Sequence, residues 1–148
     1  MKLKHLMCVG FCLSLVFVYN NAFANNTEDS GQMHVQISNE AGVTCQLTSQ
    51  ILRHGKFDSA PPQSIMFSDS KSFDMQQIFF GPSVDLTYQC GSNQISFEVQ
   101  QNASLIFGHT PNVTILSKNG LTLTADNQSS STLWGSTGIA NITIRPAV

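Results

Sequence analysis

Charge is scarce in this chain. Only 11% of its 148 residues are Asp, Glu, Lys or Arg, against about 25% in an ordinary soluble domain. Beyond residue 24 the basic residues are Arg53, Lys56, Lys71, Lys118 and Arg145; nine carboxylates oppose them and leave a net charge of about −4. No Lys/Arg cluster exists, so the electrostatic footprint of a nucleic-acid binder is missing. Attraction to anionic headgroups is missing for the same reason. Tryptophan occurs once, at Trp134, and cysteine four times. After the first 24 residues no apolar run approaches the ~20 residues of a membrane-spanning helix.

The one long apolar run lies at the start. Lys2, Lys4 and His5 precede the apolar stretch Leu6–Tyr19, which ends at Ala22-Phe23-Ala24. A basic head, an apolar body and a small-x-small exit are the parts of a secretory signal peptide. Residues 1–24 are therefore expected to be removed, with 25–31 (NNTEDSG) a polar leader and 32–148 a single domain. The expected location is extracellular, or periplasmic in transit. Cleavage takes Cys8 and Cys12 away and leaves Cys45 and Cys90, which in an oxidising compartment are expected to form one disulfide.

Alternation dominates the rest. Met33, Val35 and Ile37 alternate with polar residues, as do Val43, Cys45 and Leu47. The same holds for Val84, Leu86, Tyr88 and Cys90, for Ile95, Phe97 and Val99, and for Ala140, Ile142 and Ile144. Period two marks strands with one buried and one wet face. Gly91-Ser92-Asn93 predicts a hairpin, and Asn119-Gly120 predicts a type I′ hairpin between Val113–Lys118 and Leu121–Ala125. Only Ser49–His54 offers a helical turn. About 8–10 short strands imply an antiparallel β-sandwich with one disulfide, or alternatively a closed barrel. Both cysteines fall in phase with apolar neighbours, so the disulfide is expected to face the core and to pin two non-adjacent strands.

Catalytic patterns are thin. The residues beyond 24 include only His34, His54 and His109, with no His-Glu-x-x-His and no pair at metal-ligand spacing. Gly135-Ser136-Thr137-Gly138 lacks the spacing of a nucleophile elbow. Ser68-Asp69-Ser70-Lys71 matches Ser-x-x-Lys only as a four-residue coincidence. A hydrolase would need His54 or His109 beside a carboxylate and a serine. The expectation is a non-enzymatic protein without cofactor or metal. Five Asn-x-Ser/Thr sequons, at Asn25, Asn102, Asn112, Asn127 and Asn141, are common by chance in so Asn-, Ser- and Thr-rich a chain.

Recognition is better supported. Trp134 lies in the polar stretch Asp126–Gly138, where an apolar ring with a wet N–H suits a membrane interface. In Phe79-Phe80, ahead of Gly81-Pro82, an extended backbone turns one ring away from the core. His109, between Gly108 and Thr110-Pro111, adds a polar loop contact. Trp134, Phe79, Phe80 and His109 are thus the candidate ligand-binding residues. Membrane lipid is the favoured target, and a protein- or carbohydrate-binding module using the polar strand faces is the alternative.

Several stretches together resemble the aegerolysin family of small secreted β-sandwich proteins. They are Val35-Gln36-Ile37-Ser38-Asn39, and Leu52-Arg53-His54-Gly55-Lys56-Phe57 with Pro62 and Ile65. Tyr88-Gln89-Cys90, Ile95-Ser96-Phe97 and Gly138-Ile139-Ala140-Asn141-Ile142-Thr143-Ile144 complete the likeness. The resemblance implies a compact sandwich that recognises particular membrane lipids, sometimes with a second, pore-forming partner protein. The family is rich in tryptophan in its later half; here Trp134 alone can take that part.

Overall fold

The computed structural model describes residues 30–77, 81–104, 108–132 and 135–147. These form ten strands: β1 (Ser30–Asn39), β2 (Cys45–His54), β3 (Lys56–Ser59), β4 (Ser64–Ile65), β5 (Ser70–Gln77), β6 (Ser83–Cys90), β7 (Asn93–Ser104), β8 (Gly108–Asn119), β9 (Leu121–Thr132) and β10 (Gly135–Pro146). One sheet runs β3-β5-β1-β10-β9 and the other β4-β2-β6-β7-β8. The result is an all-β sandwich. Every pairing is antiparallel except β1 with β10, which run parallel through the middle of the first sheet.

Alternation becomes burial along β1, β5, β6, β7 and β10. Met33, Val35 and Ile37 of β1 meet Phe73 and Met75 of β5 and Ala140, Ile142 and Ile144 of β10 on one inner face. Val84, Leu86, Tyr88, Ile95, Phe97 and Val99 supply the other. All are at most 1% exposed. Removing such side chains from water is the main favourable term of folding. Tyr88 stacks on Phe97 with centroids 6.2 Å apart and planes 13° from parallel. Its hydroxyl donates to the Pro62 carbonyl at 2.8 Å, so the polar end of a buried ring is satisfied.

The disulfide joins Cys45 and Cys90, both buried in the core. The strands it joins are neighbours, contrary to expectation. Cys45 lies directly opposite Cys90 in the β2–β6 ladder, with Cα atoms 4.1 Å apart. The bond therefore locks register within one sheet and does not bridge the sandwich.

Four other local expectations give way to tertiary context. Ser49–His54 is the second half of β2, not a helical turn, because β6 supplies its backbone partners. Val43 lies before β2 and is 45% exposed, so the core alternation there starts at Cys45. Gly91-Ser92 does close the β6–β7 hairpin, with Gly91 at φ +63°. Asn119-Gly120, however, makes no type I′ hairpin. Only Gly120 has a positive φ (+67°), and the flanking β8 and β9 are edge strands of opposite sheets. The turn is a corner from one sheet to the other. Ser30 and Gly31, assigned to the leader by composition, open β1 opposite Gly135 and Ser136.

Candidate functional site

Strand direction gathers one set of chain ends at one pole of the sandwich. Ser30 pairs with Gly135, and Gly135 with Thr132. Gly31 pairs with Gln77, and Ser104 with Gly108. Ser83 lies between His54 and Gln100. The ends flanking residues 78–80, 105–107 and 133–134 thus converge, although they are up to some fifty positions apart in sequence.

Gln101 organises this pole. It is fully buried on β7, and its backbone N–H donates to the Pro82 carbonyl at 2.9 Å. Its side-chain Nε2 reaches the Ser136 hydroxyl at 3.4 Å. Three glycines make room for it. A β-carbon on Gly81 would stand 2.0 Å from the Gln101 backbone oxygen. One on Gly138 would stand 3.2 Å from Nε2 and 2.7 Å from Pro111 Cγ, and one on Gly31 would stand 3.3 Å from Oε1. Gly81 also has φ +77°, a conformation that favours glycine. One glutamine thereby touches the strand starts of β1, β6 and β10 while belonging to β7. Its Oε1, like that of Gln77, is buried without a hydrogen-bond partner.

The sequence-predicted binding residues stand in a particular relation to this pole. Phe79, Phe80 and Trp134 lie outside the described residues. His109 belongs to β8, where its backbone pairs with Ala103, but its side chain is outside what is described. The described flanks of all four meet at the Gln101 pole. Gln101 itself escaped the sequence reading, because a glutamine in Val99-Gln100-Gln101-Asn102 looks like strand surface.

Hydrolase chemistry finds no support in the described histidines. His54 is exposed at the end of β2. His34 does sit with a carboxylate and a serine, its Nδ1 2.7 Å from Asp74 Oδ1. Yet the Ser59 hydroxyl donates to Asp74 Oδ2 at 3.0 Å, so the carboxylate stands between the other two side chains. A serine nucleophile needs the base beside it, with the carboxylate behind the base. Lys71 Nζ pairs with Asp69 at 3.3 Å, which gives the Ser-x-x-Lys match no special role. Among the described residues no group of three His, Cys, Asp or Glu could hold a metal ion.

The opposite pole carries apolar surface that the sequence reading missed. Val43, Met66 and Phe67 are 45%, 62% and 54% exposed. Buried Asn39 braces their two loops, donating from Nδ2 to the Val43 and Ile65 carbonyls, both at 2.8 Å. Met66-Phe67, like Phe79-Phe80, is a pair of adjacent apolar residues; both are exposed because they follow β4 into a turn.

No protein-family model matches the chain, and no curated protein sequence matches it. Solved structures do. IP-1A from Alcaligenes faecalis superimposes with a TM-score of 0.53 at 14% identity, over 83% of this chain and 94% of that one. The lipid binding protein Nakanori gives 0.50 at 8% identity, over 75% and 70%. The Xerocomus chrysenteron lectin XCL gives 0.49 at 9%, over 78% and 99%. At these identities the likeness is one of fold: the chain shares the β-sandwich of IP-1A and Nakanori.

Proposed function

We propose that this is an exported, non-enzymatic binding protein that recognises lipid at the surface of a target membrane. The observation that carries the reading is the convergence, at the Gln101 pole, of the described ends flanking Phe79-Phe80, His109 and Trp134. Aromatic side chains delivered together can enter the interfacial region of a bilayer, where a ring lies in apolar surroundings and an indole N–H stays hydrated. With a net charge of about −4 beyond residue 24, adsorption would rest on this apolar contact and not on anionic lipid. The fold shared with a lipid binding protein, Nakanori, supports the reading. The basic-apolar-small start of the chain and the core disulfide support export. The aegerolysin resemblance adds a second, pore-forming protein as the partner such a module would serve.

Liposome sedimentation across a panel of neutral, anionic and sphingolipid compositions tests this. The wild type is expected to sediment with at least one composition, and Trp134→Ala to lower retention at least tenfold. Phe67→Ala, at the opposite pole, is expected to leave retention unchanged. Absence of retention on every composition would refute lipid recognition. Loss on Phe67→Ala with Trp134→Ala unaffected would transfer the contact to the Asn39 pole.

A further inference from the structure

The outer face of the β3-β5-β1-β10-β9 sheet carries a groove of about 280 Å³, lined chiefly by Gln32, His34, Asp58, Ser59, Asp74 and Thr137. Four strands contribute to it, since β1, β3, β5 and β10 lie side by side. The volume falls at the lower edge of the ~300–1,000 Å³ typical of small-ligand sites. None of the lining residues is phenylalanine, tyrosine or tryptophan, and none is lysine or arginine.

Its polar groups are already held in place. His34 Nδ1 lies 2.7 Å from Asp74 Oδ1, and Ser59 donates to Asp74 Oδ2 while accepting the Asp74 backbone N–H at 2.8 Å. The Gln76 amide fixes Asp58 from the side. An ionised carboxylate only accepts, so Nδ1 of His34 carries the hydrogen of that contact, and Nε2 is left to accept from a ligand hydroxyl in the neutral ring or to donate to one in the imidazolium. Each Asp74 oxygen keeps a further lone pair, and Asp58 keeps more. The groove is therefore a fixed array of acceptors, with the Gln32 amide and the Thr137 hydroxyl free to serve as donor or acceptor. Side chains fixed before binding lose little conformational entropy when a ligand arrives.

We infer that this groove binds a neutral polyol, the hydroxyl array of a glycan. Hydroxyl groups bring the donors that the Asp58 and Asp74 acceptors require and can pair with His34 Nε2 in either sense, and Gln32 and Thr137 meet the ring or hydroxyl oxygens. Alternative ligand classes fit less well. A phosphate or carboxylate would meet two carboxylates. A quaternary ammonium needs an aromatic cage, and none lines the groove. A single primary ammonium would use one point of an array that spans four strands. Around the groove the same face continues as polar rows, Gln76–Gln32–Thr137–Ser130 with Lys56 at its β3 end and Ser72–Gln36–Asn141 with Asp126 at its β9 end, which extend the hydrogen-bonding surface for further sugar residues. The site lies on a sheet face and does not depend on the lipid reading of the pole.

A glycan array probed with the purified protein, followed by saturation-transfer NMR with the best-retained glycan, tests the inference. The wild type is expected to retain at least one neutral glycan. Asp74→Asn and Asp58→Asn are expected to weaken it at least tenfold, with thermal melting showing both variants folded. Asp126→Asn, on the same sheet face but outside the groove, is expected to bind normally. Lipid retention that fails while glycan binding persists would separate this site from the proposed membrane contact. The inference is overturned if no neutral glycan is retained. Equal binding by Asp74→Asn, or displacement by ethanolamine at concentrations where sugars have no effect, would also overturn it.

Discussion

The backbone carbonyl oxygen of Gln101 occupies the space where a β-carbon on Gly81 would have to stand, 2.0 Å from it. The overlap is with main chain, so no rotamer change relieves it, and Gly81 at φ +77° adds a conformational demand that side chains resist. Gly81→Ala is expected to destabilise the protein by about 2–3 kcal/mol, read as a lowered thermal midpoint. Because Gly81 begins the run into β6, the same variant is expected to weaken liposome retention more than the loss of folded protein accounts for. A melting curve identical to wild type would contradict this packing.

Gln101→Leu separates the shape of that side chain from its polarity. Leucine fills a similar volume without leaving Oε1 buried and unpaired, and it forgoes only a 3.4 Å contact to Ser136. An unsatisfied buried polar atom costs about 1–3 kcal/mol, so Gln101→Leu is expected to match or exceed wild-type stability in urea. Gln101→Ala, which opens a cavity, is expected to lose roughly 2 kcal/mol or more.

Tyr88 offers a pH-dependent test. Burial pushes its phenol well above the ordinary value of 10.0. The folded state therefore holds the proton more tightly than the unfolded chain does. That stability is complete below about pH 10, where an unfolded tyrosine begins to ionise, and declines as pH rises further. Unfolding free energies at pH 8 and pH 11 are expected to differ less in Tyr88→Phe than in wild type. At pH 8 the same variant is expected to cost about 1 kcal/mol, since the Pro62 carbonyl loses its donor.

The disulfide closes a sequence separation of 45 residues. On the chain-entropy model such a link stabilises by roughly 4 kcal/mol. Replacing Cys45 and Cys90 together by alanine is expected to lower the midpoint of urea unfolding by a comparable free energy, typically about 2–4 kcal/mol. Dithiothreitol is expected to act on the wild type and leave the double variant unchanged. Since the two residues already face each other across a ladder, the sandwich is expected to persist without the bond.

The core and the strands were legible because burial imposes period two on any strand with one wet face. Val35, Leu86, Phe97 and Ile142 announce their positions without knowledge of their partners. What misled was local chemistry with two outcomes. Asn119-Gly120 predicts a turn correctly, but whether the next strand returns to the same sheet or crosses to the other depends on what β7 and β10 offer as edges. Cys45 and Cys90 predict a bond, but not whether their strands are adjacent.

The sequence by itself determined the class of fold, the core-facing pair of cysteines and the poverty of charge. Each is a property of composition or of neighbours a few positions away. Only the tertiary structure decided that ends flanking residues 78–80, 105–107 and 133–134 meet at Gln101, and that Gln32, His34, Asp58, Asp74 and Thr137 share one groove. These residues are brought together by the parallel pairing of β1 with β10 and the antiparallel pairings of β5 with β1 and β3. Such pairings join segments up to about a hundred residues apart, and no short-range pattern along the chain encodes them.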